Sequence, residues 1–193
     1  MRIMVSVDHM GRTGRRAGDR GASHGSIHEV DLTWRIAEGL YQAGRDDHDI
    51  IIISHGSYGE RHRWANDQSA AVYLAMHINA STSPSASYGA FFYHPQTRKG
   101  SGDRLALLMA RHVEQLARRR GDTAYKCKAI SADGDVWKNP RYTIAGLGRP
   151  VGICCEPFFI SSPANRATFC QTSTLLELGR VYLAALEQWH ATR

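Results

Sequence analysis

Four separated residues, His9, Glu29, His77 and Glu156, carry side chains suited to metal-assisted hydrolysis. Two imidazoles and one carboxylate form a plausible three-ligand shell for a catalytic zinc, with one coordination position left for water. A further carboxylate can then serve as base, taking a proton from that water and returning it to a leaving amine. The sequence has no compact HExxH pattern, so the spacing is not diagnostic alone. His9 and His77 also read as polar groups at strand ends, and Glu29 as a carboxylate favoured at a helix start. Glu156 directly follows Ile153-Cys154-Cys155, so it must be exposed at a strand end, paired, or placed in a cleft.

The elements around these residues explain how they could meet. Arg2 to His9, Ala71 to His77 and Val151 to Glu156 are short apolar runs that read as strands, each closed by one of the four. Glu29 stands before a segment in which Leu32, Ile36, Leu40 and Tyr41 recur at helical spacing, with Gly44 as terminator. Further strands are expected at Asp49–Ser54, whose unbroken apolarity suggests burial on both faces, and at Gly89–His94. Helices are expected over Glu60–Ser69, Asp103–Arg119, about Ala164–Thr168 and Ser173–Gln188, and Tyr125–Leu147 holds a strand and an irregular excursion. Strand–helix alternation predicts an α/β fold: a three-layer domain with a mostly parallel twisted sheet flanked by helices, a single domain over 1–193. Such sheets hold their sites beside the carboxyl ends of strands.

The 193 residues suffice for one well-formed core, and 42% hydrophobic content is ordinary for a globular chain. No apolar run approaches the roughly 20 residues that cross a bilayer, and the first apolar stretch reads as a strand rather than a secretion signal. Stable membrane insertion is therefore not expected. Lys and Arg number 24 against 18 Asp and Glu, a net charge of +6 that would attract nucleic acid, anionic lipid or an acidic wall polymer. Arginines gather at Arg12, Arg15, Arg16 and Arg20 in a Gly-rich loop, and at Arg118, Arg119 and Arg120 near a helix end. No basic stripe interleaved with aromatics accompanies them, so no nucleic-acid partner is expected. The four cysteines lack paired CxxC spacing, which points to buried thiols in a reduced compartment rather than a structural zinc site.

With these residues in view, the chain resembles the zinc-dependent N-acetylmuramoyl-L-alanine amidase family, amidase type 3. The resemblance rests on Glu29-Val30-Asp31-Leu32-Thr33-Trp34-Arg35-Ile36-Ala37, on Arg61-His62-Arg63-Trp64-Ala65-Asn66, and above all on Ala75-Met76-His77-Ile78-Asn79-Ala80. It implies Glu29 and His77 as zinc ligands, His9 in the place of the family's first histidine, and Glu156, before Pro157-Phe158-Phe159, as the catalytic carboxylate. Arg61 and Asn79 are implied as substrate contacts, and Ser162 and Asn165 as a polar turn and cap. The family's Asp-Pro-Gly-His-Gly-Gly reads here as Ser6-Val7-Asp8-His9-Met10-Gly11, its Thr-Arg after the second strand as Ser54-His55, and the long interval from His9 to Glu29 also contains His24 and His28.

The resemblance implies cleavage of the amide between N-acetylmuramic acid and L-alanine in peptidoglycan by zinc-activated water. It suits a phage endolysin-like catalytic domain, or a prophage copy of one, held in the host bacterial cytoplasm until release to the wall; the oligomeric state stays open, with a monomer expected. Other readings stay open at this stage: a zinc peptidoglycan peptidase, a non-catalytic wall-binding domain, or a basic nucleic-acid-binding domain.

Overall fold

The computed structural model describes residues 1–14, 17–83, 85–95, 101–133 and 138–192. Arg15 and Arg16 of the first arginine group lie outside them. The opening apolar run forms β1 (Arg2–Val7), buried along almost its whole length because a strand pairs with it on either side. These neighbours are β4 (Asp49–Ile53) and β5 (Val72–Met76), both parallel to it. β8 (Val151–Glu156) adds in parallel to β5, then β6 (Tyr88–Tyr93) runs antiparallel to β8, and β7 (Lys126–Ser131) closes the far edge parallel to β6. The mixed, mostly parallel six-stranded sheet has the order β4-β1-β5-β8-β6-β7.

Side-chain alternation divides the core between two layers of helix. Ile3, Val5, Leu74 and Ile153 face α1 (Glu29–Gly44), α3 (Gly102–Arg119) and α6 (Thr172–Ala191), with Leu178 and Trp189 buried there. Met4, Tyr73, Ala75, Phe92 and Cys154 face α2 (Tyr58–Asp67) and α4 (Lys138–Ile144). A short α5 (Pro163–Phe169) leads into α6. This is the three-layer α/β arrangement expected from the sequence.

One local expectation is corrected. The four isoleucines of β4 are not all buried: Ile51 and Ile52 are half-exposed because β4 is an edge strand, with one face less covered. The helix α1 ends at Gly44 as expected, without a left-handed turn there. The glycine's lack of a side chain permits close packing, since a Cβ there would lie 2.8 Å from Ile50 Cδ1 and 2.9 Å from Leu183 Cδ2. The excursion after β7 contains α4, and residues 134–137 lie outside the described set. The loop between β1 and α1 folds into a small hairpin of β2 (Ser23–His24) and β3 (Ile27–His28). All four cysteines are free thiols, and no helix of the described residues is long and apolar enough to cross a membrane.

Candidate metal centre and hydrolytic cleft

The sheet register explains the convergence. Val7 pairs with Met76, and Met76 with Cys155, so β1, β5 and β8 end level with one another. The residues that follow, Asp8 and His9, His77, and Glu156 as the last residue of β8, therefore gather at one carboxyl end of the sheet. Glu29 reaches the same place from the first turn of α1. Its amino-terminal position adds a favourable helix-end field to a carboxylate only 3% exposed.

His9, Glu29 and His77 each offer a ligand atom, and these atoms lie within 4.8 Å of one another. Glu29 Oε1 is 2.9 Å from His77 Nδ1 and 3.4 Å from His9 Nε2. A tetrahedral zinc with ligands at about 2.1 Å separates its donor atoms by roughly 3.4 Å. The spacing and the N, O, N donor set thus fit a zinc ion.

Surrounding groups aim these donors. His77 Nε2 is 2.8 Å from Asp8 Oδ2, and His9 Nδ1 is 3.3 Å from Asp19 Oδ2, within ion-pair reach but off the line of a hydrogen bond. Each histidine therefore has a carboxylate at the nitrogen turned away from Glu29, an arrangement that fixes tautomer and ring orientation in metal sites. Glu29 Oε1 also accepts from Ile78 N at 2.9 Å, and Oε2 from Ala22 N at 2.7 Å. Gly21, at φ +74°, lets the loop approach this closely: a Cβ there would lie 2.3 Å from Glu29 Oε2 and 2.8 Å from His9 Cδ2.

The electrostatics favour a cation at this point. Burial works against charge on His77, but its bonds to Asp8 and Glu29 prevail and raise its pKa to about 10. Burial would raise Asp8 and Glu29, yet the hydrogen bonds from His77 outweigh it and hold both below their usual values. In the metal-free protein the His77 proton thus balances two buried carboxylates, a role a metal ion can take over. Burial depresses His9, favouring the neutral imidazole that binds metal.

These donors open onto a cleft of about 660 Å³ that Asn79, Glu156, Arg12 and Tyr58 also line. Glu156 is half-buried, and burial, with the charge on Glu29, lifts its pKa to about 7 despite the opposing charge of His77. A carboxyl group near neutrality can both accept and return a proton at physiological pH.

A family model described as N-acetylmuramoyl-L-alanine amidase matches residues 5–188. The chain belongs to that family. No curated sequence matches it. Among solved structures, the amidase from Clostridium difficile 630 superposes with a TM-score of 0.78 at 17% identity, covering 100% of this chain and 97% of that one. The catalytic domain of CwlV, an N-acetylmuramoyl-L-alanine amidase from Bacillus (Paenibacillus) polymyxa var. colistinus, gives 0.77 at 13% identity, covering 100% and 99%. AmiC2 of Nostoc punctiforme gives 0.76 at 13% identity, covering 100% and 98%. Identities this low speak to the fold, which this chain shares with those amidases over its whole length.

Within the amidase fold the residues expected to form the site divide into two groups. His9, Glu29, His77 and Glu156 gather at the cleft, and Asn79 lines it half-buried. Arg61 does not lie where a substrate contact was expected. It is 1% exposed beneath the site, donating to Gly56 O, Ser6 Oγ, Val7 O and Met10 O at 2.6–3.0 Å and approaching Asp8 Oδ1 at 3.4 Å. A guanidinium engaged on every side with the β1 exit braces that loop and is not available to a ligand. His24 is exposed and His28 half-buried in the hairpin, and neither joins the donor cluster. Ser162 caps α5, accepting from Asn165 N, and Asn165 Oδ1 accepts from Phe159 N at 3.0 Å, bracing the chain just after Glu156.

The sequence alone gives no role to Asp8, Asp19 or Tyr58. Asp8 had a visible signal, a carboxylate between an apolar strand and a histidine. Asp19 had none, because only the folded loop brings it to His9.

Proposed function

We propose that this amidase-family chain is a zinc-dependent hydrolase of peptidoglycan, cleaving the amide between the lactyl group of N-acetylmuramic acid and L-alanine of the stem peptide. The observation that carries the reading is the His9–Glu29–His77 donor set, with Glu156 in the same cleft. His9 Nε2, Glu29 and His77 Nδ1 would hold the ion, with Asp19 and Asp8 behind the two imidazoles. When bound, zinc supplies a Lewis acid that polarises the scissile carbonyl and acidifies water. Glu156 takes the proton from the attacking water and delivers it to the departing alanine nitrogen. Its raised pKa suits both halves of that exchange. Asn79, fixed through its backbone to Phe158 and Ile160, presents a polar side chain to the substrate along the wall.

We extend the reading to lysis of bacterial cells by a phage endolysin-like enzyme that waits in the host cytoplasm, the setting implied by the sequence resemblance. The decisive experiment couples zinc analysis of the purified protein with mass analysis of digested wall. Intact stem peptides, intact glycan strands and one zinc per chain are expected. Glu156→Gln should keep the zinc and lose about a hundredfold to ten-thousandfold in turnover. Cuts between amino acids of the stem peptide would replace the amidase reading with a peptidase, and a fully active Glu156→Gln would remove Glu156 as the base.

A further inference from the structure

Arg12 is a charged residue in the cleft to which the hydrolytic chemistry gives no task. Its guanidinium is half-buried and held in place: Nε donates to Asp8 O at 2.6 Å, Nη2 donates to Tyr58 Oη, and Cζ lies 4.1 Å above the Tyr58 ring. Among the described residues it forms no ion pair, unlike Arg2, Arg20, Arg61 or Arg120. An arginine has five N–H donors in a planar fork. Among the described residues two are engaged, which leaves Nη1 and the other Nη2 hydrogen for a planar anion. A preorganised guanidinium beside a substrate position is a recognition device, because its ordering cost is met before the ligand arrives.

We propose that Arg12 determines specificity by pairing with a carboxylate on the peptide side of the scissile amide. This rests on the reading above that the cleft takes uncleaved muropeptide. In that substrate the sugars are neutral and the lactyl carboxyl is tied up in the amide, so carboxylates are confined to the stem peptide. Its second residue, a γ-linked glutamate, carries a free carboxylate in some walls and an amide in others. Arg12 rewards the free acid. A phosphate of an anionic wall polymer shares the same chemistry, and purified muropeptides separate the two sources.

The test compares two purified muropeptides that differ only in that group, carboxylate or carboxamide, with zinc-loaded wild-type protein, Arg12→Gln and Arg12→Lys. The wild type should prefer the acid by about tenfold or more in kcat/KM, the scale of one charge-assisted contact, with the difference mainly in KM. Arg12→Gln should bring the ratio close to one whatever its absolute rate, and Arg12→Lys should restore part of it. Using a ratio within each variant cancels any general damage to the loop. A wild-type ratio near one, or an unchanged ratio in Arg12→Gln, overturns the proposal while leaving the amidase reading intact. Failure of the wild type to cleave either muropeptide at the lactyl amide overturns that reading itself.

Discussion

Replacing Asp8 by Asn tests whether the buried carboxylate behind His77 is what readies the site for metal. Asp8 is fully buried, with Oδ2 2.8 Å from His77 Nε2 and Oδ1 facing Ser6 Oγ and, at 3.4 Å, Arg61 Nη1. A carboxylate has acceptors for donors on both sides, whereas an amide has one oxygen and must turn N–H groups towards the other side. Arg61, itself 1% exposed, would also lose its only charged partner among the described residues. Breaking a buried pair costs about 3–5 kcal/mol. Arg61 keeps four neutral acceptors, so a loss near the low end, about 3 kcal/mol, is expected in urea unfolding of the metal-free protein. His77 would be less firmly aimed, and zinc affinity measured against a competing chelator should fall about 10- to 100-fold. Destabilisation below about 1 kcal/mol with zinc affinity within twofold of wild type would refute the claim that Asp8 orients His77.

Three further outcomes follow from the same geometry. In the metal-free protein the folded pKa of His77 is about 10 against an ordinary 6.5, so its contribution is full below pH 6.5 and lost as pH rises through about 10. The lowered carboxylates Asp8 and Glu29 act in the opposite sense, their contribution being lost as pH falls below the usual 3.8 and 4.5. The urea midpoint of chelated protein should therefore be lower at high pH than near pH 6, with a weaker slope in His77→Gln, and a flat profile would contradict the buried pairing. Gly21→Ala would thrust a methyl against Glu29 and His9 at a φ of +74°, so both zinc affinity and stability should drop; a variant with wild-type zinc affinity would show that the loop yields without cost. The acid limb of kcat/KM should lie no higher than about pH 7, since burial sets Glu156 there and a nearby dication can only move it down; a limb well above that value would point to another base.

Much of this was legible along the chain. Alternating apolar runs and helical periodicity announce an α/β sheet because burial on one face of each element imposes its period on the sequence. A histidine or glutamate closing such a run marks itself, since an ionisable group beside buried valines and cysteines needs a partner or a cleft. Other features could not be read. The isoleucines of β4 look fully buried, but edge or centre is a property of strand order, which pairing far along the chain decides. Arg61 resembles a substrate contact in its local motif and is a buried brace in the fold, because the acceptors that surround it come from residues 6–10 and Gly56.

The sequence by itself determined which donors exist and which strand ends present them: His9, His77 and Glu156 after apolar runs, and Glu29 at a helix start. Only the tertiary structure decided that Val7, Met76 and Cys155 stand level across three parallel strands, so that donors up to 147 positions apart share one cleft. The physical reason is that residue type is local, whereas register is set by pairing and packing over the whole sheet. A slip of a single residue in β1 or β8 would turn the side chains to the opposite face and disperse the site.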